Sequence, residues 1–78
     1  MVSGMDEHAR VRACLLRAGL QRLPPGDSDD LGPFGLDSLV AVLTVIELEK
    51  EFGVTIPSRA LTPHVFDNVS QLATLIPR

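Results

Sequence analysis

A serine preceded by an aspartate, Asp37-Ser38, is the pair in this 78-residue chain best placed for covalent chemistry. It stands where a polar loop gives way to an apolar run that reads as a helix, with Asp37 as the N-cap. A hydroxyl at such a junction is reachable from solvent. An anion esterified to it would meet the free N–H groups and the positive dipole end of the helix. Other reactive types are sparse: His8 and His64 supply imidazoles and Cys14 the single thiol. A hydrolase would need Ser38, one of those histidines and a carboxylate as a triad, a constellation recognised by geometry rather than by count. The Gly-x-Ser-x-Gly elbow that presents such a serine is missing, because Leu36 and Val40 occupy its glycine positions. His64 reads as a surface or capping residue and Cys14 as core. One cysteine excludes an internal disulfide and leaves no metal cluster.

The elements that must position Ser38 follow from periodicity and caps. From Asp6 to Leu20 the spacing of Val11, Leu15 and Ala18, with Cys14 beside them, predicts a helix closed by Gly19. From Gln21 to Leu36, Pro24-Pro25-Gly26 and Asp27-Ser28-Asp29-Asp30 predict a long loop, pinned to the core by Leu31 and Phe34. Loops of that length are uncommon without a job. A second helix runs from Asp37 or Ser38 to Phe52, ended by Gly53 with Val54 packed behind it. Ser58 to Phe66 holds one or two helical turns, with Thr62 as cap and Pro63 at the first position. Asn68 and Gln71 form a capping box for a last helix striped by Val69, Leu72, Ala73 and Ile76. The chain is therefore all-α: a small four-helix bundle of three main helices and one short one, with a long loop between the first two.

The second helix is apolar on two sides. Ala41, Val45, Leu48 and Phe52, with Thr44, have the spacing of a core-facing stripe, whereas Leu39, Val42, Leu43 and Ile46, widened by Val40, form another. A helix apolar all round is normally buried all round, and here too few other segments exist to cover it. The second stripe is expected to stay exposed near Ser38 and meet a partner.

Bulk numbers agree with a carrier or binding module rather than an enzyme. A chain this short buries only about 60% of the surface it exposes when unfolded, which leaves little for a deep, dry cavity. A net charge of −3 and a pI near 5.1 argue against nucleic acid. No run approaches the roughly 18 apolar residues of a membrane span. Met1 to His8 lack the basic start and apolar run of a signal peptide. A soluble, cytoplasmic monomer is expected.

The run Gly35-Leu36-Asp37-Ser38-Leu39 resembles the phosphopantetheine-attachment motif of acyl and peptidyl carrier proteins. The resemblance extends through Glu49-Lys50-Glu51-Phe52-Gly53-Val54, Ile56-Pro57 and the Phe66 to Val69 segment, over about residues 6 to 77. It implies one carrier domain across residues 1–78, with 4'-phosphopantetheine from coenzyme A on Ser38 and an acyl cargo held on the arm as a thioester. It implies that Asp37 serves recognition by the phosphopantetheinyl transferase. It also implies that the second helix, through Leu39, Val40, Val42, Leu43 and Ile46, docks the loading enzyme and the downstream synthase or tailoring enzymes.

Charge and sequence departures refine this. Asp27 to Glu51 carry seven acidic residues against Lys50 alone, a local balance of −6, which suits basic partners. Val40 and Leu43, however, stand where carriers of primary fatty acid synthesis usually have carboxylates, so docking leans on apolar area and a dedicated partner. Thr44 at a core-facing position would narrow or polarise a cargo pocket. Both features favour polyketide or related natural-product assembly. The alternatives are a peptidyl or aryl carrier loaded by an adenylating enzyme, and a helical interaction module that carries no arm.

Overall fold

The computed structural model describes residues 6–77. Met1–Met5, on which the reading of no signal peptide partly rests, and Arg78 lie outside the described residues. The described residues are helical: α1 spans Glu7–Ala18, α2 Ser38–Phe52 and α3 Val69–Ala73. Three 3-10 turns lie between them, at Gly32–Phe34, Ser58–Ala60 and Pro63–Phe66.

The caps form as the side-chain chemistry dictates. Asp6 accepts a hydrogen bond from the Ala9 amide at 2.7 Å, and Gly19, with φ of 114°, closes α1 by donating to Leu15 and Leu16 carbonyls. Leu20 follows, buried, its amide donating to Leu15 O. Gly53, with φ of 64°, ends α2, and Val54 packs against the core. Asn68 accepts from the Gln71 amide at 2.8 Å, but among the described residues Gln71 makes no reciprocal bond, so the capping box is half formed.

Two expected helices are shorter than the pattern suggests. The Ser58 to Phe66 segment divides into two 3-10 turns because Pro63 keeps Thr62 extended, with ψ of 159°. The last helix ends at Ala73, where the Thr74 hydroxyl donates to Gln71 O at 2.6 Å. The chain then tightens to three-residue steps, Leu75 N to Leu72 O and Ile76 N to Ala73 O, which still bring both side chains into the core.

The core sits where α1 packs along α2 and against α3. Val11, Leu15, Leu31, Leu48, Val69 and Leu72 are fully buried there. Cys14 is buried too, and burial pushes its thiol pKa up. The long loop is held firmly. Leu31 enters the core, its amide donates to Asp67 O at 2.9 Å, and Ser70 N donates to Asp27 O at 3.0 Å. Phe34 is half-buried with the Arg22 guanidinium 4.8 Å from its ring centroid. Pro24, read from sequence only as a helix breaker, is among the fully buried side chains. No helix among the described residues is long and apolar enough to cross a membrane.

Candidate functional site

The loop delivers the chain to α2 through Gly35. Its φ of 106° lies in the left-handed region, and a Cβ there would come within 2.9 Å of Gln21 Cγ, so both conformation and space require glycine. Gln21 N donates to Phe34 O across this crossing. Asp37 then adopts extended geometry and caps α2, its Oδ1 accepting from the Val40 amide at 2.9 Å while its carbonyl accepts from Ala41 N.

Ser38 is the first residue of α2 and is exposed. The amides of Ser38 and Leu39 have no hydrogen-bond partner among the described residues, as expected for a first turn. The Ser38 hydroxyl likewise makes no hydrogen bond within the described chain. An anion on that oxygen would sit beside free N–H donors at the positive end of a 15-residue helix.

A groove of about 420 Å³ opens beside Ser38. Ser38, Ala41, Val42, Val45 and Ile46 form one wall, and Leu61 and Phe66 face them from the turns that follow α2. Apart from the Ser38 hydroxyl, its lining side chains are hydrocarbon. Leu61 and Phe66 escaped the sequence reading; the signal available was their apolar character in a short-helix segment otherwise rich in polar residues.

Of the residues expected on the outward face of α2, four are there: Leu39 is 65% exposed, Val42 59%, Ile46 44% and Leu43 37%. Val40 is not. It is 7% exposed and packs beside Gly19, where an added Cβ would already touch its Cγ2 at 3.7 Å. Val40, Thr44 and Leu48 form the buried line of α2, while Ala41, Val45 and Phe52, expected at the centre of the core, are half-buried. The helix is thus rotated from the expected setting, with Val40, Thr44 and Leu48 turned inward. Thr44 is fully buried, its hydroxyl donating to Val40 O at 2.7 Å, and it does not line the groove. It neither narrows nor polarises that space.

The acidic run is partly paired within the chain, while Asp29, Asp30 and Asp37 stay exposed. Glu47 accepts from Arg17 at 3.0 Å and Glu51 from Arg10 at 2.8 Å and Arg17 at 3.1 Å. Asp27 accepts from Arg12 at 3.0 Å and lies 2.7 Å from His8 Nδ1. Glu49 takes the Ile56 amide, Asp29 that of Gly26 and Asp30 that of Gly32. His64 is on the surface, 3.1 Å from Asp67 and absent from the groove lining, so the structure brings no histidine to Ser38's groove.

A family model described as a phosphopantetheine attachment site matches residues 9–76. The chain belongs to that family. Its members carry covalently attached 4'-phosphopantetheine, and this chain is a carrier domain of that kind; carrier domains in general interact with phosphopantetheinyl transferases and synthases. No curated protein and no solved structure matches it. The carrier domain's exposed serine, free amides and adjoining groove fit the group in both charge and shape.

Proposed function

We propose that this carrier bears its arm on Ser38 and presents acyl intermediates of polyketide or related natural-product assembly to partner enzymes. One observation carries the reading: an exposed, unbonded hydroxyl on the first residue of α2, beside two free amides and at the mouth of an apolar groove. When bound, the arm supplies a terminal thiol on which cargo is held as a thioester. The chain's own residues do the rest. The first-turn amides stabilise the phosphodiester's negative charge. Asp37 holds the first turn by capping it and offers its outer edge to the transferase. Val42, Val45, Ile46, Leu61 and Phe66 give an apolar cargo a place out of water. Leu39, Val42, Leu43 and Ile46 form the surface on which successive enzymes dock.

The natural-product assignment is supported by Leu43, apolar and exposed at one of the two positions after the serine where an acidic docking helix would carry carboxylates; Val40, at the other, is buried and lends no support. The decisive test of the site is an intact-mass measurement after incubation with coenzyme A and a permissive transferase. Wild type gains the mass of one arm and Ser38→Ala gains none. A Ser38→Ala chain that is still modified would put the arm elsewhere, and an unmodified wild type with several transferases would return the chain to an interaction module.

A further inference from the structure

The loop between α1 and α2 is fastened at Asp27, which ties it to both α1 and α3. Asp27 Oδ2 lies 2.7 Å from His8 Nδ1, and its Oδ1 accepts from Arg12 at 3.0 Å, both on α1. The Asp27 carbonyl accepts from the Ser70 amide of α3 at 3.0 Å. A second tie runs from the Leu31 amide to the Asp67 carbonyl at 2.9 Å. Asp67 comes directly after Phe66, so both ties bear on the segment that faces α2 across the groove.

His8 and Arg12 hold Asp27 in different ways. Arg12, which also donates to Pro24 O, stays charged at every pH at which the chain is folded. The His8 ring does not. An ionised carboxylate can only accept, so the short contact needs a proton on Nδ1. An imidazolium always supplies that proton and makes a charge-assisted bond, whereas a neutral ring supplies it in only one of its tautomers. Contact with His8, followed by Arg12, holds the Asp27 carboxyl below its usual range, so it remains an acceptor wherever histidine titrates. The other charged groups around the ring are Asp6, Glu7, Arg10 and Arg12 on α1 and Asp29 and Asp30 on the loop. α2 brings Glu51, paired with Arg10; α3 carries no titratable side chain, and Asp67 before it pairs with His64. Of these groups only His64 shares the histidine range.

We propose that His8 is a pH-graded clasp: as pH falls through the histidine range it fastens the loop, through Asp27, more tightly to α1 and α3 and steadies the Phe66 wall of the groove. The clasp needs no arm on Ser38, so it stands or falls separately from the carrier reading.

Amide hydrogen exchange of the full, unmodified chain, followed by NMR at about pH 7.5 and about pH 5.5, tests it across the histidine range. Rates are expressed as protection factors, which remove the intrinsic pH dependence of exchange. The Ser70 and Leu31 amides read the two ties directly. Their protection is expected to rise about 1.5- to fivefold on acidification, the span of an exposed charged pair. His8→Gln, at a side chain 41% exposed, abolishes the rise, and His64→Gln keeps it. His8→Lys, charged at both pH values, also removes the rise, with protection at the higher pH above that of His8→Gln. A wild type whose protection does not rise overturns the proposal. So does a rise that survives in either His8 variant, or one lost in His64→Gln, which would assign the effect to the Asp67 pair. Arm attachment to wild type, read by mass, decides the Ser38 reading independently of each of these outcomes.

Discussion

α1 and α2 pack side by side, each begins at an aspartate cap and each ends at a left-handed glycine. They differ in what they leave outside. α1 buries Val11, Cys14, Leu15 and Ala18 and turns mainly polar residues outward, with Leu16 its one large exposed apolar side chain. α2 buries Val40, Thr44 and Leu48 and leaves Leu39, Val42, Leu43 and Ile46 in water. Folding alone accounts for most of α1, since its buried apolar residues reach the core, Arg10 and Arg17 reach α2, and Arg12 reaches the loop at Asp27 and Pro24. Folding accounts for less of α2, whose outer residues stay 37% to 65% exposed in the isolated chain. Apolar side chains grouped beside the reactive serine and kept out of the core mark the face that is used by something else.

That contrast breaks first if buried and exposed leucines cost the same to remove. Leu15→Ala empties a fully buried site in α1 and is expected to destabilise the fold by about 2–5 kcal/mol. That is a large part of the total for a domain this size. Leu39→Ala, 65% exposed on α2, is expected to stay within about 0.5 kcal/mol. Urea unfolding of the two variants reads the difference directly. A Leu39→Ala cost approaching that of Leu15→Ala would mean that the outer face of α2 is folded against something in the free chain.

A finer separation comes from the two caps, which are physically alike. Asp6→Ala and Asp37→Ala each remove a carboxylate that accepts a first-turn amide, at 2.7 and 2.9 Å, and each is expected to cost about 1 kcal/mol. Only Asp37→Ala is expected to slow arm attachment, measured as the initial rate of mass gain under conditions where both variants remain folded. Equal rates for the two variants would reduce Asp37 to a cap.

Much of this was written locally. Asp6, Asp37 and Asn68 cap because a short polar side chain before an apolar run can reach back only to its own first turn, and Gly19 and Gly53 stop helices for equally local reasons. Ser38's position followed directly from Asp37. The rotation of α2 was not legible, because a helix apolar on two sides has no period that says which side is inner. The choice fell to packing against α1, a partner distant in sequence. The pairing of the glutamates was not legible for a similar reason. Glu47 and Glu51 are counted within their own helix, but their cations, Arg17 and Arg10, lie 30 and 41 residues away.

Those cross-helix pairs give the smallest expected effect and the sharpest division of α2 into an inner and an outer side. The hydrogen bond from Arg17 holds the Glu47 carboxyl below its usual pKa, that from Arg10 does the same for Glu51, and contact with His8 followed by Arg12 lowers Asp27. For each group the folded value lies below the unfolded one, so on acidification the unfolded chain takes up protons first. Their contribution to stability is therefore complete above the ordinary carboxylate range, about 4, and is lost as pH falls through the lowered folded values. The urea midpoint is expected to be level from neutrality to about pH 5 with respect to these groups and to fall below about pH 4. Replacing Arg10 and Arg17 together by Gln should flatten part of that fall, because two of the three carboxylates then titrate alike in both states. Lys50→Gln, on the outer side, should leave most of it, since Glu47 keeps Arg17 at 3.0 Å while its contact with Lys50 is 3.5 Å. If the double variant kept the full slope, the arginines of α1 would not be what fastens α2.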